Sequence, residues 1–333
     1  VLQLNSGGHH VRHCSGALLT NGRRDLRPYF LTAFHCLDDN DNRSLSNSEK
    51  AQVMDWLFLF NYQSPDCADP TTEPATTFSI SGATHRASRS GSDFALLELS
   101  ERPPGGHNTY YAGWSNINDR PEDGVGIHHP RGDIKKIAIY NQKPRRRNFL
   151  GAKCWKVRWL SGTTEGGSSG SPLFNEDRFI VGQDYGATGT SCQNSKRTFY
   201  GRFDKSWDEG SSSSTRLKDW LDIPGATTIL AMSGDEPCKS SYSFTDAIDL
   251  HTSANVSFFG PIFPGDRTYN GTYEATTSIV ATNCTIQSGT SVTFNAPFVR
   301  LTNGFHAIAG TGSFFRITGQ GCLRGCNTGV GRL

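Results

Sequence analysis

Residues 162–172, with the sequence GTTEGGSSGSP, decide how this chain is interpreted. Runs of glycine and serine are common in flexible linkers, so a linker is the first alternative. The second is a tight turn that exposes a nucleophile, because small residues let the backbone approach a substrate and let the amides of Gly167 and Ser169 point together at an oxyanion. A serine becomes a nucleophile only when a base accepts its proton and a third group orients that base. A nucleophilic Ser169 therefore requires a histidine and a carboxylate elsewhere in the chain.

Two further segments supply these groups. The segment YFLTAFHC places His35 beside Cys36 after strand-forming residues, and GSDFALLEL places Asp93 directly before an apolar run. Taken singly, His35 could be a structural histidine and Asp93 a turn residue, although a carboxylate that enters a buried strand must be hydrogen-bonded. Together they give the order His35, Asp93, Ser169, which is the order of the catalytic triad in chymotrypsin-type proteases.

The secondary-structure pattern predicts an all-β chain. Short apolar runs such as WLFLFNYQ, KKIAIY and CWKVRWL are separated by Gly, Pro, Asn and Asp, which is typical of antiparallel barrels or sandwiches. A helix is predicted in STRLKDWLDIP, with Ser214 or Thr215 as its N-cap and Pro224 after its end. From about Ser233 the charge density falls and a weak glycine-punctuated repeat begins, which predicts a small β-stack or solenoid. An ordinary small β-sandwich is the alternative.

Composition excludes several functional classes. The formal net charge of +2 over 333 residues offers no electrostatic case for nucleic acid or a membrane surface. No apolar run approaches the roughly 18 residues of a transmembrane helix. The nine cysteines lack zinc-ligand spacing, so we predict no metal and no cofactor. Scattered cysteines in a β-rich chain indicate disulfides, and hence a secreted, extracellular protein.

Many short segments of the chain resemble those of one protein family. They include CSGALL, YFLTAFHC, NYQSPDC, SDFALLEL, IHHPRGD, TEGGSSGSPLF, YGRF and RLKDWLD, which keep their order over roughly residues 10–225. In these words the chain resembles the lysyl endopeptidase branch of bacterial secreted trypsin-like proteases. The resemblance implies a chymotrypsin-like double β-barrel with a C-terminal helix over residues 1–228. It further implies that Ser169 attacks the peptide carbonyl, His35 moves the proton and Asp93 orients His35, with the oxyanion held by the amides of Gly167 and Ser169.

A second resemblance concerns the end of the chain. The segment LTNGFHAIAGTGSFF is similar to triple-stranded stack modules found at the ends of proteins secreted by gliding bacteria. It implies that residues 234–333 form a β-rich accessory module that associates with the cell surface or the secretion machinery. Catalysis is not expected of such a module.

The chain departs from the family at the substrate pocket. In the family, an aspartate two residues before the tyrosine of the YGR word binds the substrate lysine, and here Thr198 stands at that position. A threonine hydroxyl does not neutralise an ammonium group, so strict lysine specificity is not expected. Asp184, in the neighbouring QDYG word, could supply a replacement charge or could instead make hydrogen bonds near the triad.

Other pocket residues leave the specificity open. Tyr185 stands where the lysyl branch has a histidine, and with Gly186 it is expected to line the substrate site. An acidic P1 residue would be preferred if Lys196 or Arg197 reached the pocket, whereas a pocket closed only by Thr198 would favour small or medium uncharged residues. Ser168 stands where animal trypsin-like enzymes carry an aspartate, so the charged activation switch of those enzymes is not expected.

The resemblance also implies a disulfide pattern. It pairs Cys14 with Cys36, and it pairs Cys67 and Cys192 with cysteines of an N-terminal segment that this sequence lacks, which suggests N-terminal truncation. Cys154 has no counterpart. The predicted function is that of a serine endopeptidase acting on proteins or peptides. A non-catalytic binding or adhesion protein and an esterase on the same triad are the alternatives.

Overall fold

The structure, a computed structural model, describes residues 14–235 except 66–67, 69, 105–106, 108, 189–196 and 224–227, together with the backbone of short strands within 2–12 and 248–318. The chain divides into two compact units, one of residues 1–103 and 110–235 and the other of residues 104–109 and 236–333. Within the described residues, no helix is long and apolar enough to cross a membrane.

The described residues of the first unit form seventeen strands. They are β1 (Leu2–Leu4), β2 (His10–Arg12), β3 (Ala17–Leu19), β4 (Tyr29–Ala33), β5 (Leu57–Leu59), β6 (Ser79–Ser81), β7 (Ala83–Arg89), β8 (Phe94–Leu99), β9 (Trp114–Ser115), β10 (Gly124–His128), β11 (Lys136–Tyr140), β12 (Arg145–Phe149), β13 (Ala152–Arg158), β14 (Pro172–Asn175), β15 (Ile180–Thr188), β16 (Arg197–Arg202) and β17 (Ala231–Met232). The helices are short: α1 (Asn47–Ala51), α2 (Phe203–Asp208) and α3 (Lys218–Leu221), with 3-10 turns at Phe34–Cys36, Gln52–Asp55, Pro130–Gly132 and Ser213–Thr215. The all-β prediction is confirmed.

The strands pair into three sheets. The first half forms two four-stranded antiparallel sheets, in the orders β2-β1-β5-β6 and β3-β4-β8-β7. The second half forms a nine-stranded sheet in the order β11-β10-β14-β15-β16-β13-β12, with β9 beside β15 and β17 beside β9. In the part of the chain that is described, these sheets are open in their hydrogen bonding.

Burial of large side chains holds both halves together. Strand β4 is buried at every residue, and Trp56, Trp114 and Trp155 are fully buried. Each such side chain contributes roughly 1.5–3 kcal/mol by leaving water. One cluster joins the helices to the strands, because Trp207 of α2 lies 4.7 Å, between ring centroids, from Trp114 of β9.

The C-terminal helix is shorter than predicted. Ser214 and Thr215 do not cap it, because they belong to a separate 3-10 turn in which Ser212 and Thr215 form a capping box. Arg216 is extended, and α3 then begins after Leu217, whose side chain makes no cap. The predicted N-cap was therefore wrong, since the serine-rich run satisfies its own backbone groups one turn earlier.

The second unit contains eight described strands: β18 (Ile248–Leu250), β19 (Gly271–Glu274), β20 (Ser278–Ala281), β21 (Thr285–Ile286), β22 (Ser291–Asn295), β23 (Phe298–Leu301), β24 (His306–Ala307) and β25 (Phe314–Thr318). All of their pairings are parallel, in the orders β18-β20-β23, β19-β22-β25 and β21-β24. Partners such as Thr285 and His306 lie roughly 20 residues apart, at the short end of solenoid periods. Parallel pairing fits the predicted β-stack, whereas β-sandwiches are antiparallel. The boundaries at 228 and 234 stay a prediction.

Candidate active site

The structure brings His35, Asp93 and Ser169 into one hydrogen-bonded row. Nε2 of His35 lies 2.8 Å from Oγ of Ser169, and Nδ1 lies 3.0 Å from Oδ2 of Asp93. Asp93 is 1% exposed, while His35 and Ser169 are half-buried and therefore reachable from solvent. A row of this kind passes the serine proton to the imidazole and stabilises the charge that the imidazole gains.

His35 is positioned by the end of a buried strand and by a disulfide. It lies in the 3-10 turn that follows β4, and its neighbour Cys36 is bonded to Cys14 with a Cα–Cα separation of 6.4 Å. The expected Cys14–Cys36 bond is therefore present. The backbone amide of His35 also donates to Oδ1 of Asp93 at 3.1 Å, so Asp93 contacts both the ring and the main chain of His35.

Asp93 sits in a strained turn that the second half of the unit holds in place. Its φ of 53° lies in the left-handed region, which aspartate tolerates better than most residues. The carbonyl of the preceding Ser92 accepts a 2.7 Å hydrogen bond from the Gln183 side chain, and a side chain at Gly201 would collide with that carbonyl. The hydroxyl of Ser206 donates to Ser92 Oγ at 3.0 Å. Sequence reasoning missed these three supporting residues, because nothing local links them to Asp93.

The turn around Ser169 requires glycine on both sides. Gly167 and Gly170 have φ values of 89° and 81°, and a side chain on Gly170 would collide with Ser15 and Thr32. Ser15 holds the turn from the other half: its amide donates to the Ser169 carbonyl at 2.7 Å and its hydroxyl to the Gly167 carbonyl at 2.8 Å. Residues 162–172 are thus a fixed turn and not a linker.

The amides predicted to bind the oxyanion are held through the carbonyls of the residues before them. The Gly166 carbonyl shares a peptide plane with the Gly167 amide and accepts from the Arg131 amide at 2.6 Å, and the Ser168 carbonyl shares a plane with the Ser169 amide and accepts from the Ser171 amide at 2.9 Å. Within the described residues, neither the Gly167 nor the Ser169 amide donates a hydrogen bond to another backbone group. Two unengaged amides next to a nucleophile are suited to receive a developing negative charge.

Ser168, the residue before the candidate nucleophile, is held by a histidine. Its hydroxyl accepts from the Glu165 amide at 3.1 Å and lies 2.8 Å from Nδ1 of His128. His128 is 1% exposed, and burial lowers its pKa to about 4, so the ring is neutral at neutral pH. No local sequence pattern connects His128 with this turn.

The pKa of His35 reflects two opposed causes. Burial lowers the pKa, but the adjacent carboxylate of Asp93 raises it, with Asp184 and Asp41 adding to the rise, and the result lies above the ordinary 6.5. Burial raises the pKa of Asp93, and its contacts with His35 oppose that rise. The pair is therefore arranged to favour a protonated imidazole once the serine proton is transferred.

Thr198 belongs to a cluster of uncharged, hydrogen-bonded side chains. It is fully buried, and its hydroxyl lies 2.8 Å from the Thr164 hydroxyl and accepts a 2.8 Å hydrogen bond from the Trp159 indole. The neighbouring Arg197 is exposed, as expected for adjacent residues of a strand. Arg197 therefore points away from Thr198, and Lys196 lies outside the described residues.

The predicted substrate residues of β15 lie beside the triad. Asp184 is buried, its amide donates to the Ser171 carbonyl and its carbonyl accepts from the Gly170 amide, which ties β15 to the nucleophile turn. The Tyr185 ring lies 5.2 Å from the His35 ring, and burial raises the pKa of Tyr185 to about 12. Gly186 follows at a bulge with a φ of 153°.

Within the described residues, the remaining cysteines form no further disulfide. Cys154 is buried with a free thiol, and burial raises its pKa. Cys67 and Cys192 lie outside the described residues. Among the side chains that are described, no three His, Cys, Asp or Glu groups are arranged to hold a metal ion.

Known proteins are similar to this chain over the part that contains the residues of the candidate site. The family model for the lysyl endopeptidase C-terminal domain matches residues 2–202. The chain belongs to this family. A curated lysyl endopeptidase from Pseudomonas aeruginosa is 33% identical over 171 residues, which are 50% of this chain and 34% of that protein. The chain thus spans about a third of the length of that relative, and the resemblance inferred from the sequence is confirmed.

Solved structures of lower similarity were also found. The crystal structure of the Rv3671c protease from M. tuberculosis in its active form aligns with a TM-score of 0.36 and 15% identity, covering 60% of this lysyl endopeptidase-family chain and 73% of that chain. An inactive form, the Ser343Ala mutant, aligns with a TM-score of 0.33 and 14% identity, covering 57% and 75%.

Proposed function

We propose that the protein is a serine endopeptidase whose triad is His35, Asp93 and Ser169. The observation that carries the proposal is the 2.8 Å contact between His35 Nε2 and Ser169 Oγ, continued by the 3.0 Å contact between His35 Nδ1 and Asp93. An alcohol with an oriented base at this distance is activated for attack on a carbonyl.

The reaction follows from these contacts. Ser169 Oγ attacks the peptide carbonyl while its proton passes to Nε2 of His35. The buried carboxylate of Asp93 keeps the proton on Nδ1 and stabilises the imidazolium. The imidazolium then donates its proton to the leaving amine, and a water molecule, activated by the same imidazole, hydrolyses the acyl-enzyme. No cofactor enters this sequence of steps.

The amides of Gly167 and Ser169 are proposed to bind the oxyanion of each tetrahedral intermediate. Support comes from the carbonyls of Gly166 and Ser168, which share peptide planes with these amides and accept hydrogen bonds from the amides of Arg131 and Ser171. Fixed donors cost no reorganisation when the charge develops, which is why removal of one donor reduces rates by about a hundredfold or more.

The pocket is proposed to accept uncharged P1 residues. Thr198, Thr164 and Trp159 satisfy one another by hydrogen bonds, so no carboxylate in this cluster offers a counter-charge to a lysine. An unpaired ammonium in such a site costs several kcal/mol of binding. Asp184 is assigned to the triad side, because its charge raises the pKa of both His35 and Cys154.

Secretion and a two-part organisation complete the proposal. The Cys14–Cys36 bond supports an oxidising compartment. We assign the protease to residues 1–228 and an accessory β-module, for surface association or secretion, to residues 234–333.

The decisive experiment digests a complex peptide mixture with the protein and with Ser169→Ala, and identifies the cleaved bonds by mass spectrometry. We expect cleavage after uncharged residues that disappears in the variant. Cleavage concentrated after lysine would contradict the pocket assignment. Absence of cleavage by a folded, oxidised sample would favour the non-catalytic binding protein, and hydrolysis of small esters alone would favour the esterase.

A further inference from the structure

One face of the nine-stranded sheet carries a line of positive charges. Arg145 of β12 pairs with Lys156 of β13, and Arg158 of β13 pairs with Arg197 of β16. Residues paired across antiparallel strands share a face, as do alternate residues of one strand. Arg145, Arg147, Lys156, Arg158 and Arg197 therefore lie on one face, which we call the basic face.

The basic face has no internal counter-charge. Within the described residues, none of its five cations takes part in an ion pair, and its four arginines are exposed. The opposite face differs, because there Lys153 binds Glu209 and Arg146 binds the Asn118 side chain. Like charges directly opposite each other destabilise a sheet. Folding alone thus gives no reason for this arrangement.

The cations are close enough to affect one another. The pKa of Lys156 is lowered, by burial and then by the charges of Arg197, Arg147 and Arg145. The Lys156 ammonium also lies 5.6 Å from the centre of the Phe199 ring. This local concentration of charge contrasts with the chain as a whole, whose net charge is +2.

A chain of ring contacts connects the basic face to the triad. The His35 ring lies 5.2 Å from Tyr185, and Tyr185 lies 5.4 Å from Phe149. Phe149 stacks on Phe199 at 4.1 Å between ring centroids, and Phe199 carries the Lys156 contact. These contacts therefore connect the candidate catalytic histidine to the first cation.

The strand register gives the distance between the residues beside Tyr185 and the cations. On β15, Gly186 pairs with Phe199 and Thr188 pairs with Arg197. From Gly186 to Thr188 a strand advances roughly 7 Å, which is the span of two residues of an extended peptide. In a substrate held in the site, the side chains two to four positions away from the residues beside Tyr185 are therefore within reach of the cations.

We propose that the basic face binds acidic side chains of the peptide substrate, a few positions from the cleaved bond. The inference rests on the proposed endopeptidase function and deepens it by naming a substrate class: an uncharged residue at the bond with aspartate or glutamate nearby. Exposed charges of this kind act mainly through the encounter rate and the register of binding, and salt weakens their effect.

The test uses peptides that share one cleaved bond and carry Glu, Gln or Lys at the flanking positions, on the upstream side in one set and on the downstream side in another. We expect kcat/KM to be about tenfold higher for the Glu peptide than for the Lys peptide at low salt, with the difference shrinking as salt is added. The double variant Arg147→Glu with Arg197→Glu should reverse the order.

The control is Arg178→Glu, a single substitution of the same kind in the turn at the opposite end of β15, which should keep the preference for Glu. Equal rates for all three peptides, or a preference unchanged by the double variant, would overturn the basic face while leaving the endopeptidase intact. Binding of the same peptides to Ser169→Ala, followed by fluorescence anisotropy, tests the face without hydrolysis. Failure of the wild type on every peptide would instead refute the proposed function.

Discussion

The Ser168 hydroxyl lies 2.8 Å from Nδ1 of His128, so a neutral, buried pair holds the residue that precedes the candidate nucleophile. The pair joins β10 to the nucleophile turn, across 40 positions of sequence. Where animal trypsin-like enzymes are expected to use a charged aspartate at this position, the present chain uses two uncharged groups. The turn is thereby fixed without a charge having to be neutralised.

The first prediction concerns this pair. Replacing Ser168 by Ala or His128 by Asn should lower kcat about tenfold with little change in KM, because the oxyanion amides lose their support while the substrate contacts remain. Steady-state kinetics of both variants and of their combination measure the effect, and the combined loss should be smaller than the sum. The control is His85→Asn, since His85 makes a similar 2.9 Å contact with Ser88 on β7. An equal loss in that variant would show a general effect of removing a histidine.

Acid sensitivity of the fold is the second prediction. Burial lowers the pKa of His85, His128 and His129 to about 4, against an ordinary 6.5. Above pH 6.5 these histidines do not reduce the free energy of unfolding. As the pH falls from 6.5 toward 4 the free energy of unfolding decreases, because the unfolded chain binds the protons first. For His128 the loss is about 3 kcal/mol. His35 acts with the opposite sign: its raised pKa adds stability that is present below 6.5 and lost as the pH rises through the folded value.

Urea unfolding measured above 6.5 and again near pH 4 checks this second prediction, with His128→Asn as the comparison. The variant should show a shallower loss of unfolding free energy on acidification. An unchanged pH dependence would contradict the assignment of His128 as a neutral buried group.

The third prediction separates the two roles considered for Asp184. Its negative charge is the next cause, after Asp93, of the raised pKa of His35. Asp184→Asn should therefore move the acid limb of the kcat/KM profile to lower pH, since the imidazole then loses its proton more easily. Asp41→Asn is the matched control, with a smaller shift expected because Asp41 is the lesser cause. A change in P1 preference with an unmoved acid limb would place Asp184 in the pocket instead.

A fourth prediction tests the pocket floor. In Thr198→Asp, the new carboxylate would stand where the Trp159 indole and the Thr164 hydroxyl can both donate to it. We expect cleavage after lysine to rise at least about tenfold relative to the wild type, because the ammonium gains a buried counter-charge. Thr198→Asn, which adds a similar volume without charge, should not show the gain. Identical lysine cleavage in the two variants would refute Thr198 as a specificity residue.

The fifth prediction concerns Ser15. Ser15→Ala removes the hydroxyl that donates to the Gly167 carbonyl and accepts from the His129 amide at 3.0 Å. Leaving these groups without a partner costs about 1–3 kcal/mol, which should appear in kcat more than in KM. Ser100→Ala, which removes a serine-to-carbonyl bond on Ser81, is the control for stability. Full activity in Ser15→Ala would show that the glycines alone hold the turn.

Short sequence motifs predicted much of this candidate site. The YFLTAFHC, GSDFALLEL and GGSSGSP segments place His35, Asp93 and Ser169 where the structure brings them together, because each word encodes its own strand end or turn. The helix before Pro224 was predicted less well. Ser214 and Thr215 have N-cap chemistry, but tertiary packing of Leu217 sets where α3 begins.

By itself, therefore, the sequence determined the β class, the family and the residues of the candidate triad, since alternation, turn residues and motif order are local properties. Only the tertiary structure decided what supports them. Ser15 and Gly167 are 152 positions apart, and Gln183 and Ser92 are 91 apart. Contacts of this range leave no local pattern, because the chain brings such residues together only when sheets pack and distant turns meet. The contact between Thr198 and Trp159 and the line of cations from Lys156 to Arg147 belong to the same class, since both depend on the register among β12, β13 and β16.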